Sequence, residues 1–261
     1  VAGRRPATMA GMTDDLFRQD AYLRECSAHI TAVTEAGIVL DRTVFYPLGG
    51  GQAGDSGVLV LADGTEIAIA DTRKGKDAEG NATNNIVHVP APGQEALLAA
   101  LAPGTTVSAR IDWERRHRMM RLHTTSHLLC RVVPQLVNGC SITPDYARLD
   151  FAMTDPLDKE QLTAAIAAMV AAAHPLTVAS ISDEELDANP ALVKSMSVQP
   201  PRGTGRIRTI RIGGEGDAPL IDLQPCGGTH VANTAEIGAI VVTKIEKKSA
   251  TTRRVVLGFA P

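Results

Sequence analysis

Residues 12–110 carry short runs of β-branched and apolar side chains, each closed by turn-forming residues. Runs at 28–40, 58–61, 66–70, 85–89 and 105–111 fit short strands. Between the second and third, Ala62-Asp63-Gly64-Thr65 supplies an Asp-Gly pair, which favours a tight hairpin. Several short strands parted by turns predict a small barrel or sandwich. After Ile111 the period lengthens. Asp112 is placed to cap a helix beginning at Trp113. Met119, His123, Ser126, His127 and Cys130 fall on one stripe of that helix, and Pro134 ends it. Asp155-Pro156 opens a second helix that Pro175 closes. Its apolar stretch 164–173, between Lys159-Glu160 and His174-Pro175, predicts a core-packed helix. Ser182-Asp183-Glu184-Glu185 is a capping box for a third, shorter helix. β-branched residues return at 206–212 and 237–259. Two domains are expected, 12–110 and 111–261, the second α+β with helices beside an antiparallel sheet.

Composition narrows the class. The 261 residues suffice for one large domain or two smaller ones, each with a core. No apolar run approaches the roughly 20 residues that cross a bilayer. Val1 to Met12 is small, polar and Arg-containing, without the apolar stretch of a secretory signal, so Met9 or Met12 is a candidate native start. Cys26, Cys130, Cys140 and Cys226 have no framework spacing, which points to a reducing cytoplasm. The net charge of −3 hides three basic clusters. Arg110, Arg115, Arg116, Arg118 and Arg121 surround His117; Arg202, Arg206, Arg208 and Arg211 form the second; Lys244, Lys247, Lys248, Arg253 and Arg254 form the third. Each fits either a phosphate-binding patch or a solvated face.

The chemistry concentrates in three places. His123 and His127 sit four apart, so on a helix both imidazoles reach one ion. Cys226-Gly227-Gly228-Thr229-His230 places a thiol and an imidazole around a glycine pair that permits a tight turn. Two nitrogens with a sulfur and a nitrogen make a tetrahedral zinc set. Thr124 follows His123 where a zinc peptidase carries glutamate, so that chemistry is excluded. Thr124 and Thr125 either hydrogen-bond near a metal or pack. The third place is Phe45-Tyr46-Pro47-Leu48-Gly49-Gly50-Gly51-Gln52-Ala53-Gly54-Asp55-Ser56-Gly57. Three successive glycines let backbone approach a ligand closely, yet this is neither a Walker loop nor a dinucleotide fingerprint.

Taken in order, Phe-Tyr-Pro-x-Gly-Gly-Gly-Gln-x-x-Asp-x-Gly at 45–57, His-x-x-x-His-Leu-Leu at 123–129 and Cys-Gly-Gly-Thr-His at 226–230 resemble the alanyl-tRNA editing proteins. These are free-standing AlaX deacylases, similar to the editing domain of alanyl-tRNA synthetase. The fragments 116–121, 147–151 and 236–238 extend the resemblance to roughly residues 16–259.

The resemblance implies a small N-terminal β-barrel followed by an α+β, zinc-containing editing domain of the threonyl/alanyl-tRNA synthetase type. It implies hydrolysis of the aminoacyl ester of tRNA(Ala) mischarged with serine, and in some members glycine, acting in trans and without ATP as translation quality control. His123, His127, Cys226 and His230 would hold one zinc ion per chain. Gly49, Gly50, Gly51 and Gln52 would lie near the aminoacylated 3′ end. The family has a polar, serine-selecting position in the strand after the first histidine motif, for which Ser141 and Thr143 are the candidates here. Arg115, Arg116, Arg118 and Arg121 would contact tRNA phosphates. At 3% aromatic residues, extensive base stacking is not expected, and Trp113 reads as core. No membrane and no obligate protein partner are expected. Zinc either organises the pocket or activates a water. The competing readings are a catalytically silent, zinc-stabilised tRNA-binding module and a small-molecule zinc amidohydrolase.

Overall fold

A computed structural model describes residues 12–203 and 205–261; the proposed start at Met9 and the stretch before Met12 lie outside the described residues. The chain forms two compact units. The first comprises residues up to Gly49 together with Gly54–Trp113, and the second comprises Gly50–Ala53 and Glu114–Pro261.

The first unit runs β1 (Asp14–Asp15), α1 (Leu16–Gln19), β2 (Glu25–Thr34), β3 (Gly37–Leu40), β4 (Arg42–Thr43), β5 (Gly57–Leu61), β6 (Glu66–Lys76), β7 (Ala82–Pro90), α2 (Glu95–Ala99) and β8 (Thr106–Ile111). Strand pairing returns on itself in the order β2-β3-β7-β6-β5-β8. The two-residue period selects one face of each strand for burial. Ile67 and Ile69 of β6 and Val107, Ala109 and Ile111 of β8 join Ile30, Leu40, Phe45 and Leu59 in one core. The expected Asp-Gly hairpin joins β5 to β6, with Gly64 at φ +86° and Asp63 accepting from the Thr65 amide. Trp113 packs against this core, with the Tyr22 ring tilted against it at 5.6 Å and the Arg24 guanidinium 4.4 Å from its ring centre.

His88 on β7 is fully buried in this unit. Its Nδ1 donates to the Ile38 carbonyl at 2.9 Å, which leaves Nε2 to accept from the Thr43 hydroxyl at 2.7 Å. Burial pushes its pKa down to about 4, with the Ile38 carbonyl opposing the shift. Below pH ~6.5 the unfolded chain takes a proton that the folded one refuses until about pH 4. Stability contributed by neutral His88 is therefore intact above pH ~6.5 and falls on acidification, by about 3 kcal/mol once both states are protonated. Urea midpoints measured from pH 7 to pH 4 should show this slope, and His88→Gln should flatten it.

The second unit contains α3 (Trp113–Val132), β9 (Val137–Ile142), β10 (Tyr146–Ala152), α4 (Lys159–Ala171), β11 (Leu176–Ile181), α5 (Asp183–Ala188), β12 (Ile207–Gly213), β13 (Leu220–Pro225), β14 (Ile240–Ser249) and β15 (Thr252–Phe259). Short 3₁₀ turns occupy Pro190–Leu192 and Thr234–Ile237. Two antiparallel sheets form, in the orders β14-β15-β10-β9 and β11-β12-β13. The molecule is thus mixed α+β.

Two helices depart from expectation. α3 is buried nearly all round from Met119 to Cys130, rather than along one stripe. It tolerates this because Thr125 and Ser126 donate to the carbonyls one turn back, at 2.8 and 2.9 Å, so no hydroxyl is left unpaired. α4 begins at Lys159, not Pro156, because Asp158 caps it by accepting from the Gln161 amide at 2.8 Å. It buries only Leu162 and Ile166, so 164–173 is a surface helix with one apolar edge, not a core-packed one. The Ser182/Glu185 capping box forms as the sequence predicts, closing both reciprocal hydrogen bonds at the start of α5. Among the described residues, no helix is long and apolar enough to cross a membrane, and Cys26, Cys130, Cys140 and Cys226 are all free.

Candidate functional site

α3 sets His123 and His127 one turn apart on one face, with ring centroids 5.3 Å apart. The loop following β13 brings Cys226 and His230 to the same point. One donor atom from each of the four residues lies within 4.8 Å of all the others. The Cys226 Sγ is 3.5 Å from His123 Nε2 and 3.4 Å from His230 Nε2. Zinc–sulfur and zinc–nitrogen bonds at the tetrahedral angle put sulfur and nitrogen about 3.6 Å apart. The donor set and its spacing therefore fit a metal ion.

Each imidazole has a polar neighbour behind it. His123 Nδ1 faces Gln52 Oε1 at 2.8 Å. That oxygen also accepts the Thr229 amide at 3.1 Å while Gln52 Nε2 donates to the Thr229 hydroxyl at 2.8 Å, which fixes the orientation of the side-chain amide. With a metal bound, His123 would carry its proton on Nδ1 and present a bare Nε2 to the cluster. His230 Nδ1 meets the Thr124 hydroxyl at 3.0 Å, and His127 Nδ1 lies 3.4 Å from Asp222 Oδ2. The Cys-Gly-Gly-Thr-His loop is pinned by Arg208, whose Nη1 donates to the carbonyls of Cys226 at 2.7 Å and Gly228 at 3.0 Å. Gly228 is required for close approach, since a Cβ there would lie 2.2 Å from His123 Cε1.

The electrostatics favour a thiolate. Burial alone would raise the Cys226 thiol, but His123 and His230 outweigh it and hold the thiol well below its ordinary range. The Gly228 amide adds a donor 3.4 Å from the sulfur. Burial and the neighbouring imidazoles drive His230 well below the usual histidine range. His127 moves up to about 9, because Asp222 and Cys226 overcome the cost of burial.

Comparison with known proteins identifies the frame in which this cluster sits. Residues 207–256 match the threonyl and alanyl tRNA synthetase second additional domain, and residues 17–115 match the class II (A) tRNA synthetases. The alanyl-tRNA editing protein AlaX-M of Saccharolobus solfataricus is 32% identical over 254 residues, covering 96% of this chain and 100% of that protein. The chain belongs to the alanyl-tRNA editing proteins. AlaX-M of Methanosarcina acetivorans is likewise 32% identical, over 93% of this chain and 97% of its own. The alanine–tRNA ligase of Metallosphaera sedula is 34% identical over 244 residues, but these span only 25% of the ligase.

In this alanyl-tRNA editing protein the Gly-rich motif divides. Gly49 stays with the first unit, accepting from the Tyr46 hydroxyl at 2.8 Å. Gly50–Ala53 runs beside β9: the Ile142 amide donates to the Gly51 carbonyl, and the Ala53 amide to the Ile142 carbonyl. Gly51 adopts φ +85°, and a Cβ there would lie 2.4 Å from Cys140 Sγ. Gln52 is fully buried, with its amide committed to Thr229 and His123, so it supports the cluster.

The two serine-selecting candidates have different surroundings. The Thr143 hydroxyl donates to the Tyr146 carbonyl and accepts from the Asp145 and Tyr146 amides, so it builds a turn. Ser141 pairs with Arg148 on the opposite face of β9 from Cys140, and Cys140 is the residue directed at Gly50 and Gly51. Arg116 is fully buried, which removes it from the phosphate contacts: it lies on the same helical face as Met119, Met120 and His123. Arg118 and Arg121 stack over Phe259 at 4.1 and 4.6 Å and donate to the Pro144 and Ile237 carbonyls, leaving each half-buried. Arg115 is half-buried as well. Sequence reasoning did not single out Asp222 or Cys140, and it placed Arg208 only within a charge cluster.

Proposed function

We propose that this protein hydrolyses the aminoacyl ester of mischarged tRNA(Ala), chiefly Ser-tRNA(Ala) and also Gly-tRNA(Ala). It acts in trans, without ATP, in the cytoplasm. His123, His127, Cys226 and His230 hold one zinc ion per chain, and the strand ring of the first unit is the small barrel of the family, with domains divided near residue 110. The observation that carries the reading is the convergence of four donors, with sulfur–nitrogen distances of 3.5 and 3.4 Å, within a chain alignable end to end with alanyl-tRNA editing proteins.

The reaction adds water across an ester, releasing the free amino acid and the terminal hydroxyl of tRNA. An ester is more reactive than an amide, so positioning and local charge suffice to accelerate it. Bound zinc supplies positive charge at the pocket and, with four protein ligands, chiefly organises it. The protein's own groups hold that arrangement: Gln52 and Thr124 orient the imidazoles of His123 and His230, and Arg208 fixes the loop carrying Cys226. In this reading Gly49 and Gly50 lie near the aminoacylated 3′ end, while the space beside Gly51 is taken by Cys140. Arg115, Arg118 and Arg121 supply phosphate contacts whose strength falls with salt.

The test is direct. Purified protein should release serine from Ser-tRNA(Ala), and glycine from Gly-tRNA(Ala), while sparing Ala-tRNA(Ala), and elemental analysis should find one zinc per chain. Ser-tRNA(Ala) that survives a large excess of zinc-loaded protein would leave the silent tRNA-binding module as the better account.

A further inference from the structure

We propose that Asp222 is a positioning residue for the metal centre: it orients His127 and balances the centre's charge from outside the ligand set. The proposal rests on the reading of His123, His127, Cys226 and His230 as zinc ligands and adds a fifth, non-ligating member.

Asp222 lies on β13, four residues before Cys226, with its side chain 3% exposed. Its Oδ2 is 3.4 Å from Nδ1 of His127, a nitrogen equally removed from water that makes no directed hydrogen bond to any group. A buried ring nitrogen requires a partner, and the carboxylate is the one placed to serve. Gln224, two residues on and therefore on the same face of the strand, donates Nε2 to the same oxygen at 2.7 Å and sets its direction. Among the described residues no lysine or arginine forms an ion pair with Asp222. A carboxylate this deeply buried is costly unless a cation compensates it.

The charge count supplies that cation. Three neutral imidazoles and one thiolate around a dication leave one net positive charge in a buried site. Asp222 brings the sum to zero. A carboxylate behind a metal-bound imidazole also makes that nitrogen ligand more basic and fixes its tautomer. Gln52 and Thr124 serve the other two histidines with neutral dipoles, so Asp222 is the charged member of the set.

The test measures metal affinity, not only turnover. Zinc affinity of the full chain is measured by competition with a chromophoric chelator for wild type, Asp222→Asn and Asp222→Glu. Thermal unfolding of the metal-free forms is followed in parallel. Asp222→Asn keeps shape and removes charge, so its zinc affinity should fall ~10- to 100-fold. Asp222→Glu should recover part of the affinity, and the cobalt-substituted protein should show a displaced ligand-field band in Asp222→Asn. Zinc affinities of wild type and Asp222→Asn within threefold of each other would overturn the proposal, as would a fall in affinity matched by an equal loss of metal-free stability in both variants. If metal-free Asp222→Asn does not fold, Gln224→Leu, which removes only the orienting hydrogen bond, decides: lower affinity supports the proposal and unchanged affinity overturns it. Wild type that binds no zinc would overturn the ligand reading itself, and Asp222's role with it.

Discussion

Cys226→Ala should leave a folded protein that carries no stoichiometric zinc and deacylates Ser-tRNA(Ala) more than ~100-fold more slowly, since even outer contacts to a metal site change affinity or activity 10- to 100-fold. Cys226 is the single anion in the candidate ligand set. Without it a dication would face three neutral imidazoles, with Asp222 alone to offset its charge. No other cysteine can substitute. Cys130 lies buried on α3 with its thiol pushed up to about 12 by burial and the nearby Asp222 carboxylate. Cys140 is likewise raised, by burial and by Cys226 itself. Cys26 belongs to the first unit. The fold should tolerate the change, because the loop keeps its Arg208 hydrogen bonds and the Thr229–Gln52 pair. Zinc content by elemental analysis and initial rates on Ser-tRNA(Ala) check the prediction. Zinc-free protein hydrolysing at the wild-type rate would remove the metal from the reaction.

What was legible in the sequence follows the physics of local signals. The Asp63-Gly64 hairpin, the Ser182–Glu185 box and the helix from Trp113 each rest on neighbours within a few residues, and all three form. β13 was not among the expected strands because its signal is weak: Leu220–Pro225 mixes Asp222 and Gln224 into four apolar residues and ends in proline. Asp222 could not be recognised locally, since a lone aspartate among apolar residues carries no sign of a distant partner. Only the return of β13 toward His127, 95 residues earlier in the chain, gives it meaning. Arg116 was a different kind of miss. It stands seven residues before His123, on the same side of the helix, so the spacing that grouped His123 with His127 also placed it inward. Counting arginines obscured that, because a charge cluster has no face until the helix supplies one. Alanine misled in the other direction at α4, since it is compatible with burial and exposure alike.

Gly228→Ala should be nearly as damaging as loss of the thiol, although it removes no functional group. The added Cβ would lie 2.2 Å from His123 Cε1, 2.6 Å from its Nδ1 and 2.9 Å from Gln52 Oε1. Backbone strain plays no part, because Gly228 does not occupy the left-handed region that favours glycine. The collision is with a ring that has nowhere to go: His123 is 5% exposed on a helix buried on nearly all sides. Tilting the ring would break its hydrogen bond to Gln52 and swing Nε2 away from Cys226 Sγ. Retreat of the loop instead would cost the Arg208 hydrogen bond to the Gly228 carbonyl and carry Cys226 with it. Either adjustment widens a donor set that must hold within a few tenths of an ångström to bind metal. The stability cost should be that of overpacking, about 1–3 kcal/mol, small enough for the protein to stay folded. The expected signature is a modest drop in melting temperature with a large loss of zinc affinity and of Ser-tRNA(Ala) deacylation. A variant that keeps both would show that the loop relaxes around the methyl group, and that the close contact between Gly228 and His123 is incidental to the site.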